Sequence, residues 1–527
     1  MANSVTISYG NTVIRTSSQT ETVILRTANT ECDENITVNS VLEGGNTVYE
    51  KDVNFYDYDG TLVDSYTKAD FLNLGTMPNN PVKEGFTAQG WNWDLATAQA
   101  YVTNHGALDI GQMRVTSDGK TRLYVEVFDG ALSPTVAFGI NGTATIDWGD
   151  GSATDTVTGT SVSTLVSAQH TYATEGEYVI EITGAIAIIQ SGSTSRLICK
   201  SISASANENL VYKTGVSKIE FGNIYGIGQY GFSAMYGLKT INIPYGITII
   251  SNSLASTFQS CGALECLVLP KGVTVLNASI CRYCYGMNHI LLPQGVTSTS
   301  TYPFANCYGI SKIFLPDTVT SLSNYLVYGS YGVERVELPQ NNTIKSIGTS
   351  ALYQCYALYP PKLPPALTSL TSTFYYCNGH LTEVTIPTTV TSLGNNTFYN
   401  CYILQSITGM DNVKTLGTSV FYQCYSLHEI ELPKITSIPA STFYNCMSLI
   451  KFTIPSTVTT IGTNAFYQCF GLKELHFQPT TPPTVADANA WTSLPTDCTI
   501  YVPTGYLSTY TSASDYPDPN TYTYVQE

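Results

Sequence analysis

The chain has few charged residues, and acidic residues predominate among them. Only 12% of its 527 residues are charged, and the formal net charge is −16 at pH 7. Binding to nucleic acid or to an anionic membrane surface depends on clustered basic residues, so this balance argues against both. Serine, threonine, asparagine and tyrosine supply the polarity instead, which is typical of β-rich extracellular or virion proteins.

Long hydrophobic runs are also missing, and we expect no targeting segment. No stretch of about 18 apolar residues occurs, so the sequence predicts no membrane-spanning helix. Residues 1–5 have neither a basic region nor an apolar core, and residues 522–527 show no wall anchor or hydrophobic tail. We therefore expect no secretory signal. A surface-type protein without such signals needs another route out of its cell, and release by lysis inside a phage particle is one.

The common catalytic and metal-binding patterns do not occur. The six histidines are scattered, and no His-Glu-x-x-His, Gly-x-Ser-x-Gly or Walker pattern is present. Cys281 and Cys284 form a Cys-x-x-Cys pair, but no second pair follows at zinc spacing. Nothing suggests a nucleophile with a base beside it. The sequence predicts a protein that is not an enzyme, with no cofactor and no metal site.

One motif resembles a catalytic signature. The run Asp57-Tyr58-Asp59-Gly60-Thr61 is similar to the nucleophile motif of haloacid-dehalogenase phosphatases, in which two aspartates help to hold magnesium. That family needs a long α/β domain downstream, and β-type modules and repeats follow here instead. The alternative is a β-hairpin turn at which Asp-Gly reverses the chain. We expect no phosphatase activity.

A repeat of almost constant length occupies the second half of the chain. It reads approximately Ala-Phe-Tyr-x-Cys-x-x-Leu-x-x-Ile-x-Ile-Pro-x-x-Val-Thr-x-Ile, and successive copies lie 22 to 25 residues apart. This period is typical of a leucine-rich-repeat solenoid. We call the cysteine of each copy the anchor. The anchor positions are Cys261, Cys284, Cys307, Ser330, Cys355, Cys377, Cys401, Cys424, Cys446 and Cys469.

These repeats resemble the BspA type of leucine-rich-repeat surface protein. The resemblance covers about half of the chain and implies a solenoid over residues 215–480. Residues 481–527, with Pro482-Pro483, Trp491 and Tyr501, are similar to the closing cap of that family, which covers the apolar face of the last coil. The family resemblance implies a protein that attaches to surfaces.

Short motifs divide the first half into smaller β-modules. Residues 1–50 resemble the N-terminal segments of tail-associated proteins in phages of gut bacteria. Residues 51–128, with Gly85-Phe86-Thr87 and Gly90-Trp91, resemble the Listeria–Bacteroides repeat, a β-grasp-like module. Residues 129–186, with Trp148-Gly149-Asp150-Gly151 and Tyr178, resemble the PKD domain, a β-sandwich. Residues 187–214 are expected to form a linker or N-terminal cap. Alternation predicts a strand at Arg122–Val127, and Leu95–Val102 suggests a short helix.

The chain has 14 cysteines, and nine of them are anchors. An apolar anchor just before the strand is expected to face the interior, where parallel side chains on stacked coils fit a disulfide poorly. We expect reduced, packed thiols. On this basis serine at an anchor position would bury a hydroxyl, at a cost of about 1–3 kcal/mol.

Alternation in the repeat strands predicts which side chains point outward on the parallel sheet. In the early coils the outward side chains include an apolar group that lies next to basic side chains. The basic side chains are a candidate contact for an anionic wall glycan or an acidic protein. The alternative is that this face only covers the core or packs on the PKD-like module. The candidate binding residues are Cys266, Val268, His289, Leu291, Lys312, Phe314 and Arg335.

Two aromatic rows follow the repeat. The second row lies one residue after the anchor and contains Tyr285, Tyr308, Tyr331, Tyr356, Tyr402, Tyr425 and Phe470. Tyrosine is favoured on binding surfaces because it is large, rigid and amphipathic, and tyrosine rings also hold sugars. The alternative is that the rings stack on one another and stabilise the solenoid. The first row lies two residues before the anchor, and its candidate binding residues are Tyr328, Tyr353, Tyr375, Tyr399, Tyr422, Tyr444 and Tyr467.

Asp147, Asp150 and Asp155 lie close together in the sequence and leave calcium binding open. Taken together, the sequence predicts a mainly β, multi-domain chain in which small β-modules precede a capped leucine-rich-repeat solenoid. The expected function is attachment of a phage or prophage tail, with the N-terminal modules on other tail or baseplate proteins and the repeats on a bacterial surface glycan or protein. The expected location is the virion. The alternative is a bacterial cell-surface adhesin that binds a host or extracellular-matrix protein or glycan.

Overall fold

The computed structural model describes residues 5–9, 12–16, 26–27, 30–31, 50–189, 197–200, 203, 210–249, 254–428, 430–432 and 435–527. The chain divides into two compact units, Met1–Val48 and Tyr49–Glu527. The first unit contains two antiparallel strand pairs, β1 (Val5–Tyr9) with β2 (Thr12–Thr16) and β3 (Arg26–Thr27) with β4 (Thr30–Glu31). The structure is mainly β and contains a leucine-rich-repeat solenoid of about 13 turns. The fold class predicted from the sequence is thus confirmed.

The second unit begins with a small β/α module, residues 50–116, which we call the docking module. Its sheet has the strand order β6-β5-β8-β7, with β5 and β8 parallel. Asp94 caps the longer helix by accepting a hydrogen bond from Thr97 N, and Gly106 ends that helix in a left-handed conformation. The elements are β5 (Val53–Tyr56), β6 (Leu62–Tyr66), α1 (Lys68–Leu72), β7 (Phe86–Trp91), α2 (Leu95–His105) and β8 (Leu108–Thr116).

The following strands form a sheet that runs directly into the solenoid. Its strand order is β17-β15-β9-β12-β10-β13-β16-β18, so strands of the first coils continue it at both ends. Trp148 and Tyr172 are buried in its core, and the Tyr172 hydroxyl donates to Trp148 O at 2.9 Å. The predicted strand at 122–127 is confirmed, and it pairs with β12 and β15. The elements are β9 (Thr121–Val127), β10 (Thr135–Asp147), β11 (Asp155–Gln169), β12 (Gly176–Thr183), β13 (Ile186–Ile188), β14 (Ile198–Cys199), α3 (Leu210–Thr214), β15 (Val216–Glu220), β16 (Ile224–Ile227), β17 (Thr240–Ile241) and β18 (Thr248–Ile249).

Two parallel strand ladders run along the solenoid. One, which we call the strand face, follows the anchors and contains β19 (Cys266–Val268), β21 (His289–Leu291), β23 (Lys312–Phe314), β24 (Arg335–Glu337), β26 (Glu383–Thr385), β28 (Ser406–Thr408), β31 (Lys451–Ile454) and β33 (Glu474–Phe477). The other contains β20 (Val275–Leu276), β22 (Ser298–Thr299), β25 (Ser369–Leu370), β27 (Ser392–Leu393), β29 (Thr415–Leu416), β30 (Ser437–Ile438), β32 (Thr460–Ile461) and β34 (Thr484–Val485). Short 3₁₀ helices occupy Met410–Asn412 and Ala488–Trp491.

Each coil turns sharply just before its anchor. The residues one and five positions before the anchor have positive φ, as Gln423 and Ser419 show beside Cys424. Asparagine, glutamine, serine and glycine fill most of these positions, and asparagine and glycine tolerate this conformation best. Alternate backbone N–H groups of the turn donate to the next coil, as in Phe421 N to Thr442 O at 2.9 Å. The third side of each coil is therefore also hydrogen-bonded.

The anchor cysteines are buried, and the nine of them form no disulfide, as predicted. Each Sγ donates to a backbone carbonyl oxygen of the preceding coil at 2.9–3.4 Å. At Ser330 the hydroxyl takes the same place and donates to Phe304 O at 2.8 Å. The anchor thus tolerates a hydroxyl that has this partner.

A cap closes the last coil. Strands β35 (Thr499–Val502) and β36 (Thr523–Gln526) extend the strand face, and α4 (Leu507–Thr511) lies between them in sequence. Trp491 stacks on Phe466 with ring centroids 5.4 Å apart, and Tyr510 is fully buried. These rings remove the apolar end of the core from water. The described part of the chain contains no candidate for a membrane-spanning helix.

Candidate functional site

The structure corrects the predicted exposure of the early strand face. Cys266, Val268, Leu291 and Phe314 are 0%, 2%, 1% and 6% exposed, because the docking module lies over them. The cover is therefore the 50–116 module and not the PKD-like segment that the sequence suggested as an alternative. The contact is close. A Cβ added at Gly111 of β8 would lie 2.5 Å from a methyl group of Val268. These four side chains are an intramolecular interface.

Polar groups of the docking module hold the C-terminal ends of the covered strands. Asn92 Nδ2 donates to Leu291 O at 3.0 Å and to Leu269 O at 3.3 Å, and Trp93 Nε1 donates to Leu292 O at 2.8 Å. These donors satisfy buried carbonyl groups of the solenoid. Asp94 N, at the start of α2, donates to Gln294 Oε1 at 2.8 Å.

The last residue of helix α2 inserts between two carboxylates of the solenoid. The side chain of His105 is fully buried, with Nε2 3.0 Å from Asp317 and Nδ1 3.0 Å from Glu337. Burial by itself would lower the pKa of His105, but the hydrogen bonds to both carboxylates outweigh it and raise that pKa. Burial by itself would raise the pKa values of Asp317 and Glu337. The bonds to His105, together with Gln340 N at Asp317 and Arg335 at Glu337, outweigh burial, so both pKa values are lowered. Tyr101 stacks on the imidazole at 4.0 Å.

The basic side chains predicted for binding are also used within the molecule. Lys312 pairs with Glu50, and Arg335 donates to His105 O at 3.1 Å and pairs with Glu337. His289 packs against the Tyr56 ring at 4.5 Å, and burial lowers its pKa. The sequence signal for this interface is the run of apolar residues at outward positions of consecutive strands. Such a run indicates a covered face as readily as a receptor site.

The first tyrosine row, which begins at Tyr328 and ends at Tyr467, is a continuous stack. Adjacent rings lie 4.4–5.1 Å apart and are close to parallel. All seven rings are half-buried. Because the ring faces contact one another, only edges and hydroxyls are accessible. The predicted stacking is confirmed, and binding by these residues stays a prediction.

Beyond the docking module the strand face is open. Glu383, Thr385, Thr408, Glu431 and Lys451 are exposed, and Ser406 and Thr453 are partly so. Thr408 Oγ1 donates to Thr385 Oγ1 at 3.1 Å, which continues the coil-to-coil order on the surface. At the cap, His476 stacks on Tyr501 at 4.2 Å and contacts Glu474 and Glu527. We call β26, β28 and β31 with their outward side chains, together with Glu431 on the coil between β28 and β31, the open strand face.

Asp57 and Asp59 lie in a turn, as the hairpin alternative predicts. Gly60 has φ +88°, and its N–H donates to Asp57 O at 3.0 Å between antiparallel β5 and β6. Arg114 Nε donates to Asp57 at 2.6 Å, and Lys83 pairs with both aspartates. Burial by itself would raise the pKa of Asp59. The contacts with Lys83 and Thr61 together outweigh burial, so this pKa is lowered. These carboxylates are neutralised by the protein itself.

Asp147, Asp150 and Asp155 each have a separate partner. Asp150 accepts from Ser152 N at 3.0 Å and lies 2.7 Å from His170 Nε2. Hydrogen bonding to the Ser152 side chain, to His170 and to Ser152 N lowers the pKa of Asp150 to about 2. Trp148 Nε1 donates to Asp155 at 2.9 Å. Within the described ranges, no group of three His, Cys, Asp or Glu residues is placed to hold a metal ion. Calcium binding stays an untested prediction.

Comparison with known proteins adds a family match. The model of the BspA type leucine rich repeat region matches in six copies over residues 190–285, 254–378 and 370–486, more than half of the chain. A leucine-rich repeat protein from Bacteroides ovatus is 21% identical with a TM-score of 0.42, covering 59% of this chain and 94% of that one. A leucine rich cell surface protein from Faecalibacterium prausnitzii is 22% identical with a TM-score of 0.33, covering 57% and 87%. No curated protein matches.

Proposed function

The chain belongs to the BspA-type leucine-rich-repeat family, and from this we propose that it is an attachment protein of a bacterial cell surface. Its solenoid binds a host or extracellular-matrix protein or glycan. Repeat proteins of this kind bind partners over extended faces rather than in enclosed catalytic pockets. The proposed role is binding and not catalysis.

One observation carries this proposal. The strand face already holds a protein module over β19 to β24, and the same face is open over β26 to β31. The outward positions that contact the docking module have equivalents in the open coils, where they carry carboxylates, hydroxyls and an amine. The open strand face is therefore the proposed receptor surface. The half-buried tyrosine row is a proposed secondary contact through its hydroxyls.

A phage tail location was the setting favoured by the sequence. The chain belongs to the BspA-type family, and the proteins that its repeats resemble are bacterial surface proteins. We therefore favour the bacterial surface as the location. A virion tail protein that binds bacteria through the same face is the second setting. The cell type to which the chain adsorbs distinguishes the two.

The test is adsorption of the fluorescently labelled full chain to epithelial cells and, separately, to bacterial cells. The paired reversal Glu383→Lys with Lys451→Glu keeps the net charge and changes only exposed side chains of the open strand face. We expect at least about tenfold weaker adsorption, which corresponds to about 1.4 kcal/mol. The control is Lys345→Glu with Asp411→Lys, an equivalent exchange at exposed positions outside that face. Equal adsorption of both variants contradicts the assignment of the face.

A further inference from the structure

The second aromatic row forms an exposed ridge along the solenoid. Its residues lie one position after nine consecutive anchors, from Cys284 to Cys469, and we call them the aromatic ridge. Tyr285, Tyr308, Tyr331, Met447 and Phe470 are 39–49% exposed, and the remaining members are partly exposed. Adjacent rings are 4.8–5.0 Å apart where both are tyrosine. The ridge contains Tyr285, Tyr308, Tyr331, Tyr356, Asn378, Tyr402, Tyr425, Met447 and Phe470.

Over eight of its nine coils the ridge lies in a band without charge, and Arg282 lies beside the first coil. From Cys307 to Cys469, no residue within two positions of an anchor is charged, although the whole chain carries −16. Most residues that follow the ridge are glycine, alanine or serine, so the rings stand above their surroundings. Packing accounts for the glycines: a Cβ at Gly332 would lie 2.3 Å from Tyr308 O. The result is a narrow apolar ridge with neutral flanks.

The order of residues along the ridge is symmetric. Four large apolar side chains lie on each side of a single polar residue, Asn378, at the middle of the nine positions. If two ridges meet in opposite directions about an axis at Asn378, Tyr331 faces Tyr425 and Tyr356 faces Tyr402. Large side chains then oppose large ones at every step, and the two asparagines meet at the axis. This is the self-complementarity that a two-fold interface requires.

Size and charge are also suitable for contact between two copies. With about 150–250 Å² of surface per large aromatic ring, roughly 40% exposure of eight side chains offers about 600 Å², close to the ~800 Å² per partner of standard interfaces. To stay in register along about 38 Å of the ridge, a partner needs side chains that repeat at the ~4.8 Å spacing of stacked coils. A second copy of this chain has that spacing. Two acidic chains can meet here without bringing like charges together, whereas the open strand face has outward Glu383 and Glu431.

We propose that two copies of this chain pair through the aromatic ridge in an antiparallel, two-fold arrangement with the axis at Asn378. The pairing uses none of the residues of the proposed receptor surface and does not depend on that function. Ring faces are already stacked within each ridge, so edges and hydroxyls of one ridge contact those of the other. A dimer of this kind carries two open strand faces and so binds a surface bivalently.

The first test is sedimentation equilibrium of the full chain. At about 50 µM, well above the micromolar Kd expected of such an interface, the mass should be about twice the 57.1 kDa of one chain. Tyr331→Glu and Tyr425→Arg should each raise the dimer Kd at least about tenfold. The double variant should restore pairing, because the new carboxylate and guanidinium face each other across the axis. A wild-type monomer at this concentration overturns the proposal, and so does a double variant weaker than either single one.

The second test is cross-linking, which does not depend on a ridge ring being replaced. Asn378→Cys, in a background with Cys32→Ser, should form a disulfide dimer under mild oxidation because the position meets itself at the axis. Tyr308→Cys faces Met447 and should not form one, and Thr320→Cys is an exposed control outside the ridge. The buried anchor thiols have raised pKa values and should stay unreactive. Cross-linking at position 308 and not at 378 would mean that the arrangement is wrong.

Discussion

Replacing Cys424 by serine tests how the anchor position works. The Cys424 thiol is fully buried and donates to Phe398 O at 3.2 Å. From the sequence alone, a buried hydroxyl predicts a cost of about 1–3 kcal/mol. The structure changes that expectation, because Ser330 occupies the equivalent position with its hydroxyl donating to Phe304 O at 2.8 Å and accepting from Cys307 N at 3.0 Å.

Serine at position 424 should therefore find the same two partners, Phe398 O and Cys401 N. With both hydrogen bonds made, we expect the free energy of unfolding to fall by less than about 1 kcal/mol. Cys424→Ala should cost about 2 kcal/mol, because it removes the thiol donor and leaves a space about the size of a methyl group. Alanine should thus be worse than serine.

The assay is hydrogen exchange of the backbone amides of residues 419–427, since a repeat array need not unfold in one step. Protection should fall about 30-fold for alanine, which corresponds to the 2 kcal/mol above, and at most fivefold for serine. Ser330→Cys is the reverse control and should be close to neutral. Serine destabilising more than alanine would refute the account of the anchor as a hydrogen-bonding position.

Three further predictions follow from buried ionisable groups. The pKa of His105 is raised in the folded protein, so its protonation stabilises the docked module fully below pH 6.5, and this contribution is lost as the pH rises through the folded pKa. Alkylation of Cys266 beneath the module should therefore accelerate over that pH range. His105→Gln should abolish this pH-dependent acceleration. Asp57→Asn leaves Arg114, which is 1% exposed, without its carboxylate partner. The free energy of unfolding in urea should therefore fall by about 3–5 kcal/mol. Magnesium-dependent hydrolysis of a phosphate ester by the wild type that is lost in this variant would contradict the structural role of Asp57. Burial raises the pKa of the Cys424 thiol above its ordinary 9.0, so stability is full below pH 9 and falls as the pH rises above it; a melting temperature unchanged between pH 8 and pH 10.5 would be inconsistent with this.

The docking interface shows where sequence reasoning reached its limit. Alternation correctly placed Cys266, Val268, Leu291 and Phe314 on the outward side of the strands, but it predicted an exposed binding stripe. The contacts that cover them join residues about 200 positions apart, such as Trp93 and Leu292. Nothing local specifies such a pairing, because it depends on the shapes of two separately formed surfaces. The ion-pair partner of Asp57 could not be predicted for the same reason, since Arg114 lies 57 residues away in the sequence.

The solenoid itself was determined by the sequence. Each coil contacts mainly its neighbours, so a constant period, an inward anchor and a regular strand pattern are sufficient to define it. The same logic placed the anchor thiols and the stacked tyrosines of the first row, since equivalent positions of adjacent coils must lie next to one another. Only the tertiary structure decided which part of the strand face is free. The docking module covers β19 to β24 and leaves β26 to β31 open. That choice depends on packing between non-repeating elements that no periodicity encodes.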